Sequence, residues 1–173
     1  MMLRARSLVF ALMVQTIACG GDNPGGPSGS GSGSGGSSGS MNRGTVTAII
    51  DGVSYTGVVN AASVIGAGNV NIASNNAALT LAISFAARAA VGTTVINSTS
   101  TTVLNVITTN GTTPTGSWAA SALGGSGSLT IATLTSSSVS GTFNFVAVPA
   151  PPPSGLGATG TKTVTNGSFT ATL

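Results

Sequence analysis

The most regular feature of the chain is an alternation of apolar and polar residues that begins at residue 44 and recurs to the C-terminal segment. In its clearest example, residues 79–85, Leu, Leu, Ile and Phe alternate with Thr, Ala and Ser. A period of two places successive side chains on opposite faces of an extended strand. Residues 79–85 are therefore predicted to form a strand with one buried face.

Similar segments recur along the chain, separated by turn residues. Asp51-Gly52 is typical of a two-residue hairpin turn, and Asn75-Asn76 predicts a turn that tolerates positive φ. Residues 93–96 and 101–108 are rich in β-branched side chains, which favours strands. We expect residues 44–173 to form one all-β domain of about nine or ten short antiparallel strands. The pattern leaves a β-sandwich and an up-and-down barrel as alternatives.

Several positions predict local departures from this pattern. Residues 86–90 are expected to be a connection, and residues 110–116 a loop. The prolines within 148–153 predict an exposed loop or an edge excursion, because proline lacks the amide that a central strand needs. Gly141 lies on the inner phase of its strand and predicts a bulge. Trp118 is expected to seal one end of the core.

The first 18 residues have the pattern of a signal peptide. Arg4 and Arg6 are followed by the apolar segment 7–14 and a small residue, Ala18. The apolar segment is too short to span a bilayer, which requires about 20 residues.

The only cysteine, Cys19, follows directly after Thr16-Ile17-Ala18. This arrangement resembles the bacterial lipobox, and the resemblance implies cleavage between Ala18 and Cys19 with diacylglycerol on the Cys19 thiol. The alternative is an ordinary signal cut after Ala18 that leaves Cys19 free. A lone thiol in an exported protein invites wrong pairing, which favours lipidation.

Residues 19–43 are predicted to be a lipidated cysteine followed by a flexible tether. Residues 20–40 are rich in Gly and Ser and contain no apolar side chain that packs. Met41 resembles a second start, so an engineered Gly/Ser fusion is the alternative origin of this segment.

Charge is scarce throughout the chain. Its 173 residues include five Lys and Arg against two acidic residues, so charged residues make up 4%, where about 25% is usual. Removal of Arg4 and Arg6 with the signal lowers the formal charge from +3 to +1. No basic patch remains to neutralise phosphates, so nucleic acid is not an expected partner.

The residues that most enzymes need are missing. The chain has no histidine, and its two acidic residues are Asp22 in the tether and Asp51 in a turn. A Ser-His-Asp triad therefore has no base, a glycosidase has no carboxylate pair, and zinc has too few ligands. We predict no catalytic residue, no metal site, no cofactor and no enzymatic activity. Residues 155–160 fit G-x-G-x-x-G but precede a strand, so we expect a loop there.

Four stretches resemble a group of uncharacterised bacterial lipoproteins with a β-rich mature domain: IDGV at 50–53, GSLTI at 127–131, SGTFNF at 140–145 and VTNGSF at 164–169. The resemblance implies an all-β domain in the cell envelope and no particular activity. Tyr55, Trp118 and the phenylalanines either pack in the core or line a ligand pocket; the phase of Phe85, Phe143, Phe145 and Phe169 favours the core.

We therefore expect an exported protein held at the outer membrane or cell surface by lipid on Cys19, with a non-catalytic interaction or structural role. Its partner would be an envelope protein, a glycan or a small apolar ligand. The alternative is a lipocalin-like carrier with an apolar molecule inside a barrel.

Overall fold

The computed structural model describes residues 43–65, 68–86, 91–151 and 156–173. The predicted signal peptide, Cys19 and the tether up to residue 42 lie outside this part of the chain, as do residues 87–90 of the predicted connection. The ten strands are β1 (Gly44–Ile50), β2 (Val53–Ile65), β3 (Asn69–Asn75), β4 (Leu79–Ala86), β5 (Gly92–Ile96), β6 (Val103–Asn110), β7 (Thr113–Ala120), β8 (Ser126–Leu134), β9 (Ser138–Pro149) and β10 (Lys162–Thr172).

The predicted all-β, antiparallel class is confirmed. The strands form one sheet in the order β10-β1-β2-β3-β4-β6-β7-β9-β8-β5, and β10 pairs with β9 as well. All strands except β5 and β8 therefore form a closed circuit. Neighbouring strands of the circuit are also consecutive along the chain when β5 and β8 are left out, as in an up-and-down barrel.

The circuit closes at a narrow contact between β7 and β9, which we call the seam. Only two residue pairs form it, Trp118 opposite Pro149 and Ala119 opposite Val148. Residues 139–146 of β9 pair instead with β8, whose other edge pairs with β5. Strands β8 and β5 thus lie outside the circuit and are joined to it through β9.

Strand β10 connects the two ends of this circuit. Phe169 of β10 lies opposite Val46 of β1 on one side and Gly141 of β9 on the other. Asn166 has a φ of 52°, and the register shifts between Val164 and Gly167 in the pairing with β9. This irregularity is typical of a β-bulge, and β10 pairs with β1 and β9 on both sides of it.

The apolar phase of the strands forms the core, as predicted. The ring of Phe143 lies 6.0 Å from that of Phe145 and 6.3 Å from that of Phe169, measured between centroids. These distances are typical of packed aromatic pairs. Phe85 and Trp118 are buried as well.

Gly141 is buried in this core for a reason other than the one predicted. A Cβ atom there would overlap the backbone carbonyl oxygen of Thr130 and lie 2.9 Å from the ring of Phe169. The bulge is on the neighbouring strand β8, where the register shifts between Ile131 and Thr133. Gly141 is thus required by the close approach of β8 and Phe169.

The hairpin turns show which local sequence signals were sufficient to predict the turn geometry. Asp51 and Gly52 have φ values of 49° and 82°, as in the predicted two-residue turn. The turn predicted at Asn75-Asn76 is present, although neither residue has a positive φ. Asn75 ends β3, and the Asn76 Oδ1 accepts hydrogen bonds from the amides of Ala78 (3.0 Å) and Leu79 (2.9 Å). The side chain thus replaces the left-handed backbone as the turn-forming device.

Two prolines lie within strands. The predicted loop at 110–116 is shorter, because β7 begins at Thr113 and includes Pro114, opposite Thr109. Strand β9 likewise extends to Pro149 at the seam. Each proline lies near the end of a strand, where a missing amide interrupts no long ladder. The chain leaves the seam through Ala150, whose amide donates to the Ser117 carbonyl (3.0 Å).

The substitution Gly141→Ala tests the close packing of β8, β9 and β10. We expect it to lower the free energy of unfolding by about 1–3 kcal/mol, because the added methyl has no space. The neighbouring Ser140→Ala should change stability by no more than about 0.5 kcal/mol. Urea denaturation of the three proteins measures both effects, and equal stability of Gly141→Ala and wild type would contradict this packing.

Candidate functional site

The charged residues of the described chain are Arg43, Asp51 and Lys162. The Lys162 Nζ lies 2.8 Å from the Asp51 Oδ2, although the two residues are 111 positions apart. The backbone amide of Thr163 donates to the Asp51 Oδ1 (2.8 Å). The turn between β1 and β2 is thereby fixed to the start of β10.

The same lysine covers the single tryptophan. The Lys162 Nζ lies 5.1 Å from the centroid of a Trp118 ring, within the range of a cation–π contact. The Trp118 Nε1 donates to the Thr159 carbonyl (3.2 Å). Trp118 therefore belongs to the seam and joins it to the segment before β10. It is buried, in agreement with the expectation that it packs in the core.

This cluster is chemically suited to holding strands together. The hydrogen bond from Lys162, and then that from the Thr163 amide, lower the pKa of Asp51. A carboxylate with a lowered pKa remains ionised near neutral pH. Asp51 is thus arranged to hold Lys162 rather than to exchange protons.

Tyr55 is a buried structural residue in this fold. Its hydroxyl donates to the Ser74 carbonyl (3.0 Å) and lies 3.0 Å from the Ser74 Oγ, which donates to the Leu81 carbonyl (3.3 Å). Burial raises the pKa of Tyr55, so the phenol remains neutral. The side chain is 2% exposed, which favours the core over a ligand pocket for this tyrosine.

The outward side of the sheet from β2 through β1, β10, β9 and β8 to β5 carries hydroxyl groups in register; we call it the hydroxyl face. One continuous line of cross-strand neighbours, the hydroxyl row, crosses all six strands. Its members, in order, are Thr56, Thr47, Ser168, Thr142, Thr130 and Thr93.

Hydrogen bonds order this row at both sides of its centre. The Thr47 Oγ1 lies 2.8 Å from the Ser168 Oγ, and the Thr93 Oγ1 lies 2.8 Å from the Thr130 Oγ1. A second line, Thr45, Thr170, Ser140 and Thr133, runs beside it.

Two open grooves lie on the hydroxyl face. The larger, of about 530 Å³, includes Arg43 and all four members of the second line. The smaller, of about 240 Å³, includes Ser128, Asn144 and Thr165. In the register of β8, β9 and β10, the hydroxyl row lies between the outward residues that line the two grooves.

The outward side of β3, β4, β6 and β7 is different; we call it the alanine face. Ala73, Ala82, Asn105 and Ala119 form a line of cross-strand neighbours. These residues are half-buried. The continuous hydroxyl row is thus a property of one side of the domain.

Sequence reasoning placed the outward threonines on individual strands but did not find the row. The order of the strands and their register, which bring the residues together, are long-range properties. The predicted lipidation and cleavage residues, Cys19 and Ala18, lie outside the described residues. Leu156 and Gly157 form a turn before β10, as expected for the loop at 155–160.

Within the described ranges, no three His, Cys, Asp or Glu side chains are grouped as metal ligands. No helix in this part of the chain is long and apolar enough to cross a membrane.

Comparison with known proteins found no matching family model, no similar curated protein and no similar solved structure.

The substitution Asp51→Asn tests the ion pair through its pH dependence. Because the pKa of Asp51 is lowered in the folded protein, the ionised carboxylate contributes to the free energy of unfolding. This contribution is fully present above the unfolded-state pKa, near 3.8, and is lost as the pH falls through the folded-state pKa. The Asp51 side chain is 39% exposed, so the contribution should not exceed about 1 kcal/mol.

Urea unfolding from pH 7 to pH 2 measures this difference. The wild type should be the more stable protein at pH 7, and the two stabilities should converge in acid. A difference that stays constant over this range would contradict an electrostatic role for Asp51.

Proposed function

We propose that this chain is a lipid-anchored, non-catalytic protein of the bacterial envelope, and that its β-domain has an interaction or structural role. The observation that carries the proposal is the position of Cys19, directly after the predicted signal peptide and directly before a Gly/Ser-rich segment. Lipid on this thiol would hold the domain at the outer membrane or cell surface, and the tether would give it reach.

The arrangement of the domain supports an interaction role over a catalytic one. Asp51 and Lys162 are engaged with each other, and Tyr55 is buried with Ser74 as its partner. The polar groups that remain accessible are mainly hydroxyls on an outer face. Such groups form hydrogen bonds as both donors and acceptors and are suited to contacts with another molecule.

The alternative function, a lipocalin-like carrier, requires a cavity inside the domain. Large buried side chains, including Phe85, Phe143 and Tyr55, occupy the apolar side of the described strands. The two grooves lie instead on the hydroxyl face. These features favour a partner bound on the outside.

The anchor is tested by producing the full chain in a bacterial host with an outer membrane and analysing its membrane fraction. We expect a mature protein that begins at Cys19 and carries added acyl mass. The substitution Cys19→Ala should move the protein out of the membrane fraction, because the thiol that accepts the lipid is gone. Ser28→Ala, in the tether, is the matched control and should remain membrane-bound.

Two results would refute the anchor: a mature chain that begins at Cys19 with no acyl mass, or a Cys19→Ala variant that stays in the membrane fraction. Intact-mass spectrometry distinguishes the first, and detergent partitioning distinguishes the second.

A further inference from the structure

We propose that the hydroxyl face binds a single chain of an uncharged polysaccharide, which lies along the hydroxyl row. This inference rests on the proposed interaction role and names the chemical class of the partner.

The length and order of the row are suited to a linear polymer. Six strands at a spacing of about 4.8 Å extend the row over about 24 Å. The hydrogen bonds Thr47–Ser168 and Thr93–Thr130, both 2.8 Å, fix hydroxyl groups near its two ends. Groups already fixed in this way lose less conformational freedom when a ligand binds.

The centre of the row is available to a ligand. Thr142 is exposed on β9, and within the described chain its hydroxyl has no hydrogen-bond partner. A hydroxyl offers one donor and two acceptor lone pairs. Sugar hydroxyls have the same capacity, so each can donate to or accept from the row.

The charge of the face matches a neutral partner. The row contains no charged side chain, and among the described residues Arg43 is the one charged side chain that lines the two grooves. The Arg43 Nη1 already donates to the Ala62 carbonyl (3.2 Å). Polyanions depend on clusters of Lys and Arg for their affinity, and the described residues of this face form no such cluster. An uncharged polymer therefore fits the face better than a polyanion or an anionic lipid surface.

The shape of the face favours a flexible chain. Neighbouring strands in a sheet are rotated by about 20–25°, so a row that crosses six strands does not lie flat against a crystalline surface. A single polysaccharide chain follows such a twist, and the grooves beside the row accommodate its substituents. The row contains no aromatic side chain, so recognition depends on several hydrogen bonds rather than on one stacked ring.

The alanine face provides an internal comparison. Thr80 and Ser84 point outward from β4 but are neighbours of Asn75, Ile107, Asn71 and Val103 rather than of other hydroxyl groups. The pair Thr80 and Ser84 therefore matches the pair Thr142 and Ser168 in chemistry and differs in surroundings.

The test is biolayer interferometry with the full chain in detergent micelles. Soluble dextran, a β-glucan and a galactomannan are the neutral probes, and polygalacturonate is the anionic probe. We expect binding to at least one neutral probe and weaker binding to polygalacturonate. Thr142→Ala/Ser168→Ala should weaken the neutral interaction about tenfold, because two hydrogen-bonding groups are removed. Thr80→Ala/Ser84→Ala should leave it unchanged.

Three results would overturn the inference: binding to no neutral probe, preference for polygalacturonate, or equal weakening by both pairs of substitutions. Dimers that sedimentation detects for the wild type and that Thr142→Ala/Ser168→Ala abolishes would assign the face to a second copy instead and would equally overturn it. Thermal unfolding of both double variants verifies that they fold.

Membrane fractionation of the same proteins reports separately on the anchor. A wild-type protein that stays in the membrane fraction but binds no neutral probe would refute this inference and leave the proposed anchor standing.

Discussion

The pairing of β10 with both β1 and β9 is the interaction on which the rest of the fold depends. It joins the beginning of the domain to its end and provides the long closure of the circuit, whereas the seam between β7 and β9 contains only two residue pairs. Without β10, the facing edges of β1 and β9 would expose unpaired backbone groups, and Phe169 would leave the core. The hydroxyl row would also be interrupted at Ser168, so the same strand supports both the fold and the proposed surface.

Scarcity of charge is the second constraint on this protein. Sheet edges are commonly protected by Lys residues or inward-pointing charges, and this chain has little charge to use. In this fold, closure of the circuit covers most strand edges. One edge of β7 pairs with β9 only at the seam, and Pro114 and Pro149 lie near the two ends of the remaining, open part of that edge. The ion pair Asp51–Lys162 lies beside Trp118 near the seam, where the sheet has its fewest pairings. Hydroxyl groups supply much of the solvated surface, with the consequence that one side carries a continuous row of uncharged hydroxyl groups.

Local sequence signals predicted much of the fold. The alternation in residues 79–85 and the Asp51-Gly52 turn were sufficient because their causes lie within a few residues. The strand status of Pro114 and the reason for Gly141 could not be predicted in this way, since both depend on which strand lies alongside. The hydroxyl row was missed for the same reason: Thr142, Thr130 and Thr93 become neighbours only through the register of β9, β8 and β5. Cys19 is the opposite case, a candidate site that is apparent only from sequence.

Amide hydrogen exchange on the full chain tests the central position of β10 most directly. If β10 holds the circuit closed, amides of β10 and of the facing edges of β1 and β9 should exchange only through global unfolding, with free energies equal to that from urea denaturation. Amides of β5, which pairs only with β8 among the described strands, should exchange faster. Exchange of the β10 amides through a local opening, while β3 and β4 remain protected, would contradict this account.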